Sequence, residues 1–438
     1  MKNKLKTENY NLLYLFKELD NKKINYSVLR NYQSLPNSTG GSDLDILIGV
    51  ESVNEFNKLL IQFIKENDLK LVSVIDDKYC PKYCISEIGW GIQIDAFRKS
   101  VYFGNNEIIL SEILFENTVK YNGVNVLNKR VGTLLAFLKE LLNNKFCEDK
   151  YIVDLQNQFL GQDIEATLLS QFTSPFISYL NQNLTQLDKK HCLELHKLSK
   201  TSFKRSKFYS LSKKIKRLFK QPGFTIAFLG VDGAGKTTII NSITTKLNKA
   251  FHKAIYYEHM RPNRLISIAR LLGKKEEFSG PVTNPHGSTS SGYLGSLLRW
   301  SYYMLDYTFG FYLKVWPKKS IRSCAWIFDR YYYDYLIDPK RGRINLPTWI
   351  LKFGQVIIPE PDIILCLGTD ATSIHKRKPE LTLKEVERQV LELKAFCDSH
   401  KKAVWIDTGI DIETSSNDTL DAITTMMAKR FESLNLTK

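Results

Sequence analysis

Two short runs of residues could carry chemistry by residue type and spacing, and the clearer one covers residues 230–237, GVDGAGKT. It fits the pattern G-x-x-x-x-G-K-[ST] and stands between an apolar strand-like segment, TIAFL, and a helical segment, TTIINSITTKL. Glycines let the backbone curl so that its N–H groups, with the following helix N-terminus, bind phosphate oxygens. Lys236 would neutralise the outer phosphates of a nucleoside triphosphate, and the Thr237 hydroxyl would ligate Mg²⁺. The run therefore predicts ATP and Mg²⁺ as cofactors. The predicted nucleotide-binding residues are Gly230, Asp232, Gly233, Ala234, Gly235, Lys236, Thr237 and Thr238.

The second run, residues 40–48, places two aspartates on one predicted strand. Asp43 and Asp45 are two residues apart and so project to the same face of a strand. Asp95 lies on a further predicted strand, residues 91–97. Three carboxylates can hold two Mg²⁺ ions, one activating an attacking oxygen while the other holds a triphosphate. These residues predict a catalytic metal site for nucleotidyl transfer. A structural or ligand-sensing domain and a chance alternation of aspartates are the alternatives.

The elements that must position the first run follow from the pattern after residue 222. Apolar segments typical of strands alternate with helical patterns to the end of the chain. The predicted strands cover residues 224–229, 254–257, 324–328, 363–367 and 403–406. This order predicts an α/β fold, a doubly wound parallel sheet with helices on both faces.

The first half of the chain contains two further regions. Residues 1–125 mix strand and helix patterns, which is typical of an α+β domain. Residues 126–222 are predicted to be helical, because leucines recur there at helical spacing. We therefore predict three domains, 1–125, 126–222 and 223–438. The predicted elements of the first region are strands at 25–30, 44–50 and 91–97 and a helix at 53–66, and the leucines of the second are Leu134, Leu135, Leu138, Leu141 and Leu142.

Positive charge is concentrated in one segment of the chain. Among 438 residues, 62 Lys+Arg stand against 46 Asp+Glu, a net charge of +16. Residues 201–220 hold eight of the basic residues and no acid, and the rest of the chain carries only +8. A linker helix whose apolar face packs on a neighbouring domain, a peripheral membrane helix on anionic lipid, and a nucleic-acid contact are the alternatives. Nucleic acid is the least favoured partner, because no recognised nucleic-acid module accompanies the segment. The apolar face would consist of Phe208, Leu211, Ile215 and Leu218.

The remaining composition predicts a cytoplasmic protein without a transmembrane helix. The first twenty residues are typical of an amphipathic helix, since Lys17, Glu18 and Asp20 interrupt their apolar run. No stretch approaches 18 uncharged apolar residues. Seven widely spaced cysteines are typical of reduced thiols in the cytosol. The oligomeric state is open, a homodimer included.

The phosphate-loop run and three later features resemble the thymidylate kinases, within the nucleoside monophosphate kinases, over about residues 223–431. Asp329-Arg330-Tyr331 follows the apolar segment CAWIF, Pro361-Asp362 opens the next strand, and the basic run 375–378 stands where the family has its lid. The resemblance implies that Asp329 holds the Mg²⁺ shell or orients Lys236. It also implies that Arg330 bridges donor and acceptor phosphates. Arg377, with Arg388 as a second candidate, would close over the transferred group.

The same resemblance implies residues for the acceptor. In the family, an acid inside the loop contacts the acceptor's sugar hydroxyl, and Asp232 stands at that position. Arg261 is implied to hold the acceptor phosphate and Arg299 to contact the base. This chain keeps only the Arg and Pro of the family's Arg-Glu-Pro element, and Arg299 stands farther from Asp329 than in the family. The run 331–343 also differs, so dTMP is one acceptor among several.

Residues 26–97 resemble the nucleotidyltransferase superfamily of the DNA polymerase β type. The resemblance implies that Asp43, Asp45 and Asp95 bind the catalytic metals. The family carries a Gly-Ser pair about ten residues before its Asp-x-Asp, whereas Leu29-Arg30-Asn31 stands in that region here. Phosphate binding by Arg30 and loss of triphosphate binding are the alternatives.

The two resemblances together predict a chain with two enzyme domains. The kinase would move the γ-phosphoryl group of ATP to a nucleoside monophosphate-like acceptor, beside a second, nucleotidyltransferase activity. One alternative is a bifunctional enzyme that phosphorylates a sugar-like or alditol metabolite and then activates the resulting sugar or alditol phosphate with a nucleotide. A second alternative is a defence or signalling protein regulated by nucleotide.

Overall fold

The structure is a computed structural model that describes residues 8–88, 90–103, 106–144, 147–199, 207–251, 254–265 and 292–432. For residues 207–210 it describes the backbone alone. The chain forms two compact units, the first within Met1–Ser86 and Trp90–Lys216 and the second within Arg217–Glu432. The predicted three-domain division remains a prediction beside this finding.

The first unit combines a mixed sheet with helices. Its sheet has seven strands in the order β3-β4-β5-β2-β1-β9-β8, and β6 and β7 form a separate antiparallel pair. In this sheet β2 pairs with β5 and β1 with β9 in parallel, whereas β1–β2, β3–β4 and β8–β9 are antiparallel. The elements in chain order are α1 (Glu8–Asn21), β1 (Tyr26–Val28), β2 (Leu44–Ile48), α2 (Val53–Glu66), β3 (Lys70–Ile75), β4 (Lys82–Glu87), β5 (Trp90–Arg98), β6 (Ser100–Phe103), β7 (Asn106–Leu110), α3 (Ser111–Glu116), β8 (Thr118–Tyr121), β9 (Val124–Leu127), α4 (Lys129–Asn144), α5 (Asp149–Gln158), α6 (Ser174–Asn183) and α7 (Lys189–Leu198).

The helical residues after 126 share a hydrophobic core with strand residues before 126. Leu47 of β2 and Phe97 of β5 belong to the same buried cluster as Leu134 and Leu138 of α4 and Leu195 of α7. The amphipathic pattern of α4 explains this, because it places its leucines on one face. The helices assigned to a middle region thus cover the core of the first unit.

The basic segment lies only in part within the described residues. Residues 201–206 fall outside them, and α8 (Lys207–Phe219) carries the rest across the division between the units. Leu211 is 56% exposed, Ile215 48% and Leu218 39%, so these three leave much of the predicted apolar face uncovered. Phe208 lies outside the described side chains, and the three readings of the segment remain predictions.

The second unit is an α/β layer structure around one parallel sheet. The five predicted strands are confirmed, in the order β11-β12-β10-β13-β14, with every pair parallel. The elements in chain order are β10 (Phe224–Gly230), α9 (Lys236–Phe251), β11 (Ile255–His259), α10 (Tyr293–Leu305), a π-helix (Asp306–Val315), α11 (Trp316–Ile321), β12 (Ala325–Asp329), α12 (Asp334–Ile337), α13 (Thr348–Ile357), β13 (Ile363–Gly368), α14 (Ala371–Arg377), α15 (Leu383–Ser399), β14 (Ala403–Asp407) and α16 (Ile412–Lys429).

The central strand β10 places the phosphate-loop run at the carboxyl edge of this sheet. Every residue of β10 is buried, which requires cover on both faces of the sheet. The chain enters β12 on one side of β10 and β13 on the other, so the strand order reverses here. Open α/β sheets bind ligands outside the carboxyl ends of their strands at such a point.

Among the helices of the described ranges, none is both long enough and apolar enough to span a bilayer.

Candidate active site

The loop between β10 and α9 has the backbone that the run 230–237 predicts. Gly233 has φ +90° and Gly235 has φ +84°, a region that residues with a Cβ rarely adopt. A Cβ on Gly233 would also lie 2.9 Å from the carbonyl oxygen of Ile374. Ala234 is buried, and Thr237 and Thr238 are exposed in the first turn of α9. The loop therefore curls around the N-terminus of a 16-residue helix, where backbone N–H groups favour anions.

Lys236 is a buried cation held at the mouth of this loop. Its Nζ donates hydrogen bonds to the carbonyl oxygens of Gly230 at 2.7 Å and Val231 at 3.0 Å. Burial and, after it, the charge of Arg330 lower the pKa of Lys236 to about 7, although Asp232 opposes the shift. Because an anion stabilises the ammonium form, a bound phosphate would raise this pKa again.

Asp329 ends β12 beside the phosphate loop. It is the register partner of Phe228, two residues before Gly230, and its Oδ2 accepts a 2.8 Å hydrogen bond from Tyr257 Oη. Burial raises the pKa of Asp329, but the neighbouring His259 and Lys236 outweigh it and hold the pKa at about 2. Oδ1 of Asp329 is buried and accepts no hydrogen bond from the described residues. A buried, unpaired carboxylate oxygen suits Mg²⁺, which prefers oxygen ligands, so Thr237 and Asp329 fit the ion that the loop implies.

Arg330 joins the loop to the residues after β12. It has φ +70°, and its amide donates to the carbonyl oxygen of Phe228 at 2.8 Å. Its guanidinium donates to Asp232 within the loop and to Asp334 on α12, and only 4% of the residue is exposed. Left-handed backbone at a residue with a Cβ is stored strain that tertiary contacts must hold. The structure therefore brings Arg330 to the phosphate loop.

Arg341 is a site residue that the sequence reasoning missed. Its Nη1 donates a hydrogen bond to Oδ2 of Asp232, and Arg330 donates one to Oδ1 of the same carboxylate. Asp232, expected to meet a sugar hydroxyl, thus has two arginine partners, and these lower its pKa although burial opposes them. The sequence feature that could have indicated this role is the cluster of three cations Lys340, Arg341 and Arg343. It lies in the run that differs from the thymidylate kinases.

Arg261 lies on the loop after β11, where a second missed residue holds it. Its Nη1 donates to Asp306 at 3.2 Å, and its guanidinium lies 4.4 Å from the ring centre of Tyr303. Asp306 is fully buried at the start of the π-helix and also accepts from the amides of residues 263, 264 and 265 at 3.0–3.1 Å. The sequence could have indicated this role of Asp306, because it is the one acid in the otherwise apolar and aromatic stretch YYMLDYTFGFY.

The remaining arginines differ in their relation to the loop. Arg377 ends α14 and donates to the carbonyl oxygen of Thr408 at 3.0 Å. With Gly235 and Thr238 it lines a cavity of about 250 Å³. Arg388 instead pairs with Glu385 on its own helix at 2.7 Å. Arg299 lies one helical turn before Tyr303 on α10, so the two share a helix face.

The predicted acids of the first unit meet only in part. Asp45 and Asp95 are register partners on the parallel strands β2 and β5, and they are 3% and 4% exposed. Asp43 precedes β2, which begins at Leu44. Among the residues that the structure describes, no group of three His, Cys, Asp or Glu side chains could hold a metal ion.

Both acids that the structure brings together also pair with cations: Arg30 bonds Asp45 and Lys82 bonds Asp95. The expected two-metal centre therefore does not fit these side chains. Nucleotidyl transfer by the first unit stays a prediction.

Comparison with known proteins adds one solved structure to this description. No family model and no curated protein sequence matches the chain. One matching structure is a thymidylate kinase from Ehrlichia chaffeensis, with 15% sequence identity and a TM-score of 0.32. The match covers 46% of this chain and 98% of that one.

Proposed function

We propose that the second unit transfers the γ-phosphoryl group of ATP to a small acceptor that already carries a phosphate, a nucleoside monophosphate such as dTMP being the first candidate. The observation that carries the proposal is the buried Lys236 inside a phosphate loop that also contacts Arg330, beside Asp329. Phosphoryl transfer needs positioning and charge neutralisation more than covalent chemistry, and this arrangement supplies both.

On the donor side, the loop amides and Lys236 would hold the phosphates of ATP. The 250 Å³ cavity beside Gly235 and Thr238 offers room for part of the remaining nucleotide. Mg²⁺, held by Thr237 and Asp329, supplies further neutralisation of phosphate charge when bound. Arg377 borders this cavity and would contact the donor.

On the acceptor side, three arginines would face a phosphate-bearing molecule. Arg330 and Arg341 meet at Asp232, and Arg261 is held over Tyr303. Guanidinium groups bind phosphate oxygens through paired hydrogen bonds, and an aromatic ring offers a surface for a base or a sugar. Guanidinium donors at these positions favour an acceptor with a phosphate over one without it.

An acceptor screen tests the proposal. Purified chain with ATP and Mg²⁺ is incubated with dTMP, other nucleoside monophosphates, ribose 5-phosphate and ribitol 5-phosphate, and products are followed by ³¹P NMR. We expect equal amounts of ADP and of an acceptor with a new phosphoanhydride bond. A sugar phosphate as the preferred acceptor would favour the bifunctional alternative. ATP turnover with no phosphorylated acceptor would contradict the proposal and favour a nucleotide-regulated switch.

Replacing Asp306 by Asn is expected to weaken acceptor binding more than ATP binding. The carboxylate holds Arg261 and three backbone amides, and losing its charge removes about 1.5–3 kcal/mol of charge-assisted hydrogen bonding. We expect the acceptor KM to rise about 10- to 100-fold with a smaller change in the KM for ATP. Asp398→Asn, on the exposed face of α15, is the matched control. An unchanged acceptor KM would show that Asp306 does not position Arg261 for binding.

A further inference from the structure

The acid pair of the first unit is neutralised by side chains of the same chain. Arg30 donates through Nε to Asp45, Lys82 donates to Asp95, and Gln93 donates to the second oxygen of Asp95 at 2.9 Å. The side chains of the two acids are 5% and 6% exposed. Breaking a buried ion pair costs several kcal/mol because the remaining charge loses its partner. A divalent cation would have to displace both pairs to bind here.

A third basic residue, Lys139 of α4, interacts electrostatically with Asp45, Asp95, Arg30 and Lys82, and burial is the main cause that lowers its pKa. An anion nearby would stabilise the charged form of this buried side chain.

A cavity of about 320 Å³ adjoins this cluster through Arg30. Arg30 is 29% exposed at its side chain and lines the cavity, and its two Nη groups donate no hydrogen bond to any described residue. Lys129 and the first turns of α4 form another part of the wall. A guanidinium with free donors, beside the N-terminus of a 16-residue helix, is a phosphate-binding arrangement.

The rest of the wall is polar and aromatic and includes one acid, Asp154, whose carboxylate can accept hydrogen bonds from hydroxyls. Tyr32 and Tyr151 offer ring surfaces and hydroxyls, and Asn157 and Gln158 offer amide donors and acceptors. These groups suit a body that is uncharged and rich in hydroxyls. The volume lies at the lower end of the range for small-molecule sites, about 300–1,000 Å³.

We propose that the first unit binds the phosphate monoester of a small hydroxyl-rich molecule in this cavity without a divalent cation. Arg30 binds the phosphate, and the tyrosines and amides of the cavity bind the body. In this proposal Arg30 neutralises Asp45 and Lys82 neutralises Asp95, so that no metal ion is needed to balance the two carboxylates. This inference is independent of phosphoryl transfer in the second unit.

Isothermal titration of the full-length chain carrying Lys236→Ala and Arg261→Ala, which weaken donor and acceptor binding in the second unit, tests the inference. The probes are inorganic phosphate, ribose 5-phosphate and dTMP, each titrated in EDTA and again in excess Mg²⁺. We expect one binding event in EDTA, an unchanged affinity in Mg²⁺, and tighter binding of an organic phosphate than of inorganic phosphate. We expect ribose 5-phosphate to bind more tightly than dTMP, because dTMP carries a single free hydroxyl, and the reverse order would contradict the hydroxyl-rich body.

Two variants link the binding event to the cavity. Arg30→Gln should weaken binding about 10- to 100-fold, the loss of one charge-assisted hydrogen-bonded group. Ala136→Phe should abolish binding by filling the cavity while leaving both ion pairs in place. Lys120→Gln, an exposed lysine of the same unit, is the control and should bind normally.

Three results would overturn the inference. These are binding that requires Mg²⁺, no binding of any probe in EDTA, and unchanged affinity in Ala136→Phe. Pyrophosphate release from a nucleoside triphosphate that Asp45→Asn abolishes would restore the metal-dependent nucleotidyltransferase reading instead.

Discussion

Replacing Lys236 by Ala is expected to lower kcat for phosphoryl transfer by at least about a thousandfold. A preorganised cation or donor at the transferring group contributes on the order of 10²–10⁵ in rate. Lys236 is preorganised, because its Nζ is fixed on the carbonyl oxygens of Gly230 and Val231 inside the loop. Steady-state assays with the best acceptor of the screen measure the effect.

Lys249→Ala is the matched control for this prediction. Lys249 lies in the last turn of the same helix, where it is exposed. We expect its kcat to equal that of the unchanged protein, and thermal melting checks that both variants fold. Full activity of Lys236→Ala would end the assignment of the loop to phosphoryl transfer.

Replacing Asp362 by Asn is expected to destabilise the second unit by about 3–5 kcal/mol. Oδ2 of Asp362 accepts from Lys319 Nζ at 2.7 Å and from the amide and hydroxyl of Thr225 at 2.7 and 2.8 Å. Lys319 is buried, so the substitution leaves an uncompensated ammonium between helix α11 and the sheet. Urea unfolding followed by tryptophan fluorescence measures the loss, since five of the six tryptophans lie in this unit.

A double variant separates the charge effect from loss of packing. Lys319→Met removes the unpaired ammonium, so Asp362→Asn with Lys319→Met should be more stable than Asp362→Asn alone. Asp398→Asn is exposed and should change the unfolding free energy little. Equal stability of Asp362→Asn and the unchanged protein would contradict the role of this ion pair.

The pKa of Asp362 determines how the difference in unfolding free energy between Asp362→Asn and the unchanged protein depends on pH. Burial raises that pKa, but Lys319 and its hydrogen bond outweigh burial and hold the pKa below the ordinary value. A depressed carboxyl pKa adds stability above the unfolded pKa of about 4 and loses it as pH falls through the folded pKa. The stability difference between the two proteins should therefore be constant from about pH 5 to 8 and shrink below about pH 4.

The parts of the site that one short segment defines could be predicted from the sequence. The loop 230–237 needs closely spaced glycines, a strand before it and a helix after it, and all three are local properties. The five apolar strands of the second unit and the leucine face of α4 were likewise predicted, because burial imposes a clear pattern on them. Short strands of the first unit such as β8 were not predicted, since most of its residues are exposed and their pattern is weak.

Tertiary structure alone decided which charged groups meet. Arg341 reaches Asp232 across 109 positions of sequence, and Asp306 reaches Arg261 across 45, because the sheet order and the helices between strands bring those loops together. Tertiary structure likewise brings Arg30 to Asp45 in the first unit. There a guanidinium pairs with the carboxylate that the sequence pattern assigned to a metal ion. Residue types determine the chemistry that each group can perform. Whether an aspartate faces a metal, an arginine or a substrate depends on neighbours distant in sequence, which local patterns do not encode.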